Sequence, residues 1–371
     1  MTRNDIQMCF LLCSLFPEDF EIPIEQLIMC GIGIGLFPNA NSIEDKRNEM
    51  VMALKKLQKS GLLLVTDDAK SRRMSIFFLL GTDYGETISM HDVVRDFAHW
   101  LTSTGENRFM VKDKLKEWPD MVESFECYTA IALWNCSSNI KFPDKVEFSK
   151  LKTLCLEGED WDDLLVVSIA SYFSSSLTNL EILVLIDTKI YQISEELVKL
   201  STLKYLRLSK ESIFHQYYEE SEMRIQPSLV SRLTSLQKLH VQSKNTINLM
   251  ELNLFSCLTA LSLRLSTDQF SQEDFVFPKL QMYTIVVNER FTYEWAFRTL
   301  KIRNFSSSLS AFSNLFYNVE KLKLKNVSGQ KNIVPSIGEM EVNELTYLKL
   351  ESCNDMEFLT VITRDQGCCI L

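Results

Sequence analysis

A chain of 371 residues, 46% hydrophobic and 24% charged, can bury a sizeable core and has room for two domains, which excludes disorder as its overall state. With 39 basic against 49 acidic residues the net charge is −10, so no global field gathers phosphates or anionic lipid, and nucleic acid is not expected as a partner. Ten cysteines without a CxxC pair, beside only four histidines, argue against a metal site and a disulfide framework and for reduced, mostly buried thiols.

Asn4 to Phe16 is nearly continuous apolar. Behind Arg3 it imitates a secretory leader, yet it lacks a small-residue cleavage site and has Asp5 in the would-be basic region; a buried helix stopped by Pro17 is the better reading. No stretch reaches the ~20 apolar residues of a membrane span, so no stable membrane insertion is expected. Pro23 suits a first helical position, and Ile24, Leu27 and Ile28 follow at helical spacing. The segment Gly31-Ile32-Gly33-Ile34-Gly35 has the glycine content of a phosphate loop, but it continues a helical pattern and no Gly-Lys-Ser/Thr ends it, so close helix packing explains it. Ser42 and Asp45 form a capping pair for a third helix through Met50, Val51, Leu54 and Leu57, closed by Gly61.

Short strands at 62–66, 75–80 and 87–90, separated by polar turns, read as hairpins. A last helix starts at His91-Asp92 and places Val94, Phe97, Ala98 and Leu101 on one face. Helices, then a β-wing, then a helix make a winged-helix pattern over residues 1–120. Its 14 basic and 18 acidic residues, a net of −4, speak against docking in a DNA groove.

From residue 121 to the end the pattern changes. The template apolar-x-x-apolar-x-apolar recurs, clearest at Leu151–Leu156, Leu180–Leu185, Leu203–Leu208, Leu236–Val241, Leu258–Leu263, Val319–Leu324 and Leu345–Leu350. Tyr128–Leu133 opens the series; Leu280–Ile285 and a stretch near Leu300 are degenerate copies. Spacings of 22 to 33 residues fit one strand plus a return segment, the period of a leucine-rich repeat. Positions one, four and six stack inward, and a single repeat cannot fold alone. In the opening and clear copies position nine holds the expected Asn or Cys only as Cys136 and Cys353, so irregular turns are expected. The longest step carries an aromatic and acidic insertion at 214–222.

The fold class predicted is therefore α/β: a winged-helix module followed by an irregular leucine-rich-repeat solenoid. Alternate strand positions face the concave surface, which puts Tyr205, Arg207, Lys238, His240, Arg264, Lys321, Lys323, Lys325 and Lys349 there. This basic stripe on an acidic protein is a candidate surface for an acidic partner. Solubility of the sheet is the competing explanation. No nucleophile motif and too few histidines for acid–base work leave no basis for an enzyme.

Three features coincide: Cys9-Phe10-Leu11-Leu12-Cys13-Ser14-Leu15-Phe16-Pro17-Glu18-Asp19, then, about seventy residues on, Met90-His91-Asp92-Val93-Val94-Arg95-Asp96-Phe97-Ala98, then irregular leucine-rich repeats. Together they resemble the plant NB-ARC leucine-rich-repeat disease-resistance proteins, most closely the coiled-coil class. The resemblance implies that residues 1–120 are the ARC2-like module carrying the Met-His-Asp motif, in an intracellular, cytoplasmic receptor of innate immunity and the hypersensitive response. It implies an ATP/ADP switch in the intact receptor, with His91 contacting the ADP phosphate and Asp92 holding the motif's geometry. The partners implied are a pathogen effector or guarded host protein, and the N-terminal receptor domains or related full-length receptors.

One departure from the family pattern bears on cofactors. No Gly-x-x-x-x-Gly-Lys-Ser/Thr occurs in the chain, so no nucleotide cofactor is expected in this chain by itself. A C-terminal part of such a receptor, as a gene fragment, a split gene or a truncated paralogue, is the expectation. The alternative is a secreted leucine-rich-repeat recognition protein, motivated by the leader-like start and by glycosylation sequons at Asn135, Asn304 and Asn326.

Overall fold

The structure, a computed structural model, describes residues 3–65, 87–118, 125–137, 140, 147–158, 165–166, 177–186, 188–189, 200–209, 232–241, 247–270, 275–289, 298–329, 332–334, 345–356 and 358–360. The expected wing strand at 75–80, the insertion at 214–222 and the residues from 361 onward lie outside them. Two compact units are present, one built mainly from Met1–Ser221 and Arg232–Gln237, the other mainly from Lys238–Phe291 and Ala296–Leu371.

The first unit begins with α1 (Arg3–Cys13), β1 (Ile22–Pro23), α2 (Ile24–Gly33), α3 (Ile43–Lys59), β2 (Leu64–Val65), β3 (Thr87–Ser89) and α4 (Asp92–Thr104). β3 pairs antiparallel with both β1 and β2, which gives the three-stranded order β1-β3-β2. Helix, strand, two helices and two further strands in that order are the winged-helix arrangement. Pro23 ends the edge strand instead of opening the helix, a one-residue difference of the kind that caps decide. Ser42 caps α3 as its sequence foretold: its hydroxyl accepts from the Asp45 N–H at 3.0 Å and its own N–H donates to the Asp45 carboxylate at 3.1 Å.

The glycine segment packs helices and has no phosphate-loop geometry. A Cβ on Gly31 would lie 2.3 Å from Met50 Cε of α3, and one on Gly33 would lie 2.6 Å from Ile182 Cγ1. A side chain at either place would force its neighbour to shift, more cheaply at the flexible Met50 than at Ile182. Gly35 then takes φ +79° past the helix end, where a left-handed residue releases the chain.

The same unit continues into five parallel strands in chain order: β4 (Arg108–Asp113), β5 (Tyr128–Cys136), β6 (Thr153–Gly158), β7 (Ile182–Ile186) and β8 (Tyr205–Ser209). The parallel sheet thus takes in Arg108–Asp113, a strand without the leucine template that pairs with β5 from inside the first 120 residues. Template leucines such as Leu154, Leu156, Leu183 and Leu185 are buried, each contributing about 1.5–3 kcal/mol relative to exposure.

The second unit repeats the pattern with β9 (Lys238–Val241), β10 (Ala260–Leu265), β11 (Met282–Val287), β12 (Arg298–Phe305), β13 (Lys321–Val327) and β14 (Tyr347–Glu351), all parallel and paired in sequence order. Tyr283 stands where a leucine is expected, and its buried hydroxyl donates to the Leu315 carbonyl at 2.5 Å. Behind these strands Phe270, Phe277, Phe305 and Phe312 form one aromatic cluster, with ring centroids 5.2–6.4 Å apart. The degenerate copies are filled by aromatic bulk where regular copies use leucine.

Module and strands of the first unit meet at Trp134 of β5. Its indole N–H donates to the Leu15 carbonyl at 2.7 Å in a buried setting, with the rings of Phe16 and Phe20 at 5.4 and 5.8 Å. Two substitutions test this packing by urea denaturation. Trp134→Phe keeps the ring stack but strands a buried carbonyl, and a loss of about 1–3 kcal/mol is expected. Gly33→Ala forces a methyl onto Ile182 and should cost about 1–3 kcal/mol through overpacking, with an unchanged midpoint arguing against so close an approach of α2 to β7.

Candidate functional site

β3 delivers the chain through the buried Met90 to His91, which is exposed and caps α4 with φ −65° and ψ 143°. Its Nδ1 accepts from the Val93 N–H at 3.4 Å. With Nδ1 engaged as acceptor, the ring proton is on Nε2, which leaves a donor that the cap does not use. Asp92, also exposed, occupies the first turn, where the helix dipole favours a carboxylate. The helix-start role read from the sequence for both residues is what the geometry shows.

α4 keeps its expected facing at Ala98, which is buried, and at Val94 and Leu101, which are half-buried, but not at Phe97. Ala98 and Thr102 are buried, with Arg95 and His99 half-buried beside them, whereas Val93, Phe97 and Trp100 are 69%, 49% and 59% exposed. These three recur at i, i+4 and i+7 and form an apolar face, with Phe97 and Trp100 stacked at 5.9 Å. Phe97 was expected among the inward residues. The helix is instead turned so that His99 can donate from Nε2 to the Ser14 carbonyl at 2.9 Å.

The nine concave-face candidates separate into two sets. Tyr205 and Arg207 of β8 are buried, as are Lys238 and His240 of β9. They occupy the expected alternate register but offer no open partner surface, which corrects the sequence reading for these four. For Tyr205 the reason is visible in α2, since a Cβ on Gly33 would lie 3.7 Å from Tyr205 Cβ. Burial pushes the Tyr205 phenol up, opposed by the Arg207 guanidinium beside it, and Arg207 Nε donates to Ser209 Oγ at 3.2 Å.

Arg264, Lys321, Lys323, Lys325 and Lys349 keep their charged ends at or near the surface. Two carboxylates that the sequence pattern did not single out lie among them. Glu289 holds Lys323 at 2.5 Å and its backbone carbonyl accepts from Arg264 Nε at 3.2 Å; Glu351 holds Lys349 at 2.5 Å and also Lys325. Glu351 was discoverable from the alternation of β14, as Lys349 was. Glu289 lies just past the end of β11, beyond the template, and no periodicity marks it.

Among the described residues no group of three or more His, Cys, Asp or Glu side chains is placed to hold a metal ion, and no helix is long and apolar enough to cross a membrane. Burial pushes the Cys9 thiol up to about 12 and raises Cys13 and Cys155 as well, which makes these thiols poor nucleophiles.

A winged-helix module followed by parallel strands on a leucine template defines a leucine-rich-repeat protein. No family model matches the chain. It is homologous to plant disease-resistance proteins, as three from Arabidopsis thaliana illustrate. Disease resistance protein At4g27190 is 25% identical across 78% of this chain, disease resistance protein RFL1 30% across 76%, and disease resistance protein RPS5 30% across 55%. The chain spans 33%, 32% and 21% of the length of those relatives.

His99 gives the helical module a pH signature. Burial holds its imidazole below the usual 6.5, partly offset by the bond to the Ser14 carbonyl, while Arg95 and Lys112 push the same way as burial and Asp96 opposes them. The folded state therefore takes up this proton at lower pH than the unfolded state. The stability concerned is complete above the unfolded value and is lost as pH falls through the folded one. The urea midpoint should drop between about pH 7 and about pH 5, and His99→Gln should reduce that drop.

Proposed function

We propose that this chain acts as the C-terminal part of an intracellular, cytoplasmic plant immune receptor, with residues 1–120 as the switch module and 121–371 as the repeat domain. Its work is binding and coupling: the module links the repeats to a nucleotide-binding domain, and the repeats engage a pathogen effector or a host protein. The observation that carries this reading is the apolar face Val93, Phe97 and Trp100, exposed on the helix whose first residues are His91 and Asp92. One helix presents both a docking face and an imidazole donor, which suits a neighbouring domain holding an anion at that helix start.

Homology to disease-resistance proteins supports the immune role. Of the chain's own groups His91 Nε2–H would reach bound ADP, since the Val93 N–H is engaged by His91 Nδ1. One such contact cannot hold a nucleotide tightly, so the phosphate cradle has to come from the other domain. One of the two motives for the secreted alternative has another explanation, because Asn135, Asn304 and Asn326 all have left-handed backbone with φ 49–52° at strand ends, where asparagine is favoured for its conformation.

The test is reconstitution in trans with the nucleotide-binding and first linking domains of a receptor of this class. Co-elution is expected, with ADP retained by the complex and no micromolar ADP binding by this chain alone. Phe97→Asp or Trp100→Asp should abolish co-elution, whereas His91→Ala should preserve it and weaken ADP retention about tenfold or more, the loss of one charge-assisted contact. Co-elution unaffected by Phe97→Asp and Trp100→Asp together would overturn the docking assignment.

A further inference from the structure

In the second unit, β12, β13 and β14 share one register. Leu300 and Ile302, Leu322 and Leu324, and Leu348 and Leu350 occupy one face, which puts the residues between them on the other. Across the strands Lys301 aligns with Lys323 and Lys349, Thr299 with Lys321 and Tyr347, and Arg303 with Lys325 and Glu351. Neighbouring parallel strands lie about 4.8 Å apart, so Lys323 and Lys349 stand side by side with Lys321, Lys325 and Arg303 next to them, while Lys301 in the same column is buried.

Solubility alone does not call for this arrangement. Like charges directly opposite on neighbouring strands destabilise a sheet, and a soluble face is served as well by mixed signs. The chain has an acidic excess to draw on, with a net charge of −10, and Glu289 and Glu351 bridge Lys323, Lys325 and Lys349. Both make contacts that reveal what the face prefers. Glu351 bridges Lys325 and Lys349, and those two ammonium groups hold its carboxyl down to about 2. Each glutamate shows that these ammonium groups take a carboxylate, which a partner's carboxylate would displace or join.

We propose that this face binds a short, extended acidic segment of a partner protein, its carboxylates lying over Lys321, Lys323, Lys349 and Arg303, with the exposed ring of Tyr347 at the rim. The proposal rests on the reading of the repeats as a partner-binding array and goes beyond it by naming the partner's chemistry. Three strands and three alternate positions span on the order of 10 by 13 Å, room for a handful of residues. The size of the patch also decides between polyanions. A short acidic segment feels mainly these cations, within a Debye length of about 8–10 Å, whereas a nucleic acid would run on into the field of an acidic molecule.

The experiment is a fluorescence-anisotropy titration of the full chain with a labelled peptide of about eight alternating Glu and Asp residues, against its Gln/Asn counterpart and an oligothymidylate of equal charge. Saturable, salt-sensitive binding of the acidic peptide alone is expected. Lys323→Ser with Lys349→Ser should weaken it about tenfold or more, and Arg at both positions should restore it. Glu351→Gln should tighten binding several-fold, since it releases two lysines from an internal competitor. Lys55→Ser with Lys56→Ser, on α3, should change nothing. Circular dichroism checks the fold of each variant; if the double serine variant is unfolded, the gain from Glu351→Gln still decides.

No saturable peptide binding, tighter binding of the oligothymidylate, an equal loss from the α3 variant, or no gain from Glu351→Gln would each overturn the proposal. Its failure is separable from failure of the receptor reading, because capture of the nucleotide-binding domain depends on α4 and not on these lysines.

Discussion

The first unit depends on how one short helix ends. α1 cannot continue through Pro17, and the N–H groups of Ser14, Leu15 and Phe16 close back onto the carbonyls of Leu11, Leu12 and Cys13. That leaves the carbonyls of Ser14 and Leu15 in a buried setting, where an unpaired oxygen costs about 1–3 kcal/mol. His99 supplies the first missing donor from α4 and Trp134 the second from β5. One turn thus ties together the first helix, the helix that starts with His91, and the first full repeat strand. The segment Cys9–Asp19, which carries the family resemblance, is at the same time the packing centre of the module.

A second constraint is what each stretch of sheet does with the side chains that do not enter the solenoid core. In the first unit Ile182 and Val184 are buried apolar groups at those positions, and Gly33 lets α2 approach Ile182 as closely as a backbone can. Cys155, Tyr205 and Arg207 are buried in the same register. In the second unit the corresponding positions of β12, β13 and β14 are rich in lysine and are bridged by Glu289 and Glu351. Register is identical in both cases. The chemistry at alternate residues decides whether a strand face is covered by packing or stabilised by charge.

Turn chemistry explains the irregularity that template matching alone leaves puzzling. Position nine seldom carries the expected asparagine, yet Asn135, Asn288, Asn304 and Asn326 all take positive φ at or just past a strand's end. Lys114 and Ser352 do the same at the ends of β4 and β14. Asparagine tolerates this conformation and can also bond laterally: Asn326 Nδ2 donates to Asn304 Oδ1 at 2.9 Å, and Asn135 Nδ2 to Asp113 Oδ1 at 2.7 Å. The sharp turn that a leucine-rich repeat needs is made in most of these copies one residue earlier than its consensus places it.

The sequence by itself determined what local periodicity and local chemistry control. The leucine template fixed the parallel strands and their inward residues, Ser42 with Asp45 fixed the start of α3, and the uninterrupted helical pattern around Gly31 and Gly33 ruled out a phosphate loop. Only the tertiary structure decided what depends on which surfaces meet. It recruited β4 without a template, buried Tyr205, Arg207, Lys238 and His240 where alternation alone left them facing outward, and turned α4 so that His99 serves Ser14 while Phe97 is exposed. Periodicity assigns a side chain to a face of its own element. Whether that face is covered depends on residues far away in the chain, whose positions no local repeat encodes.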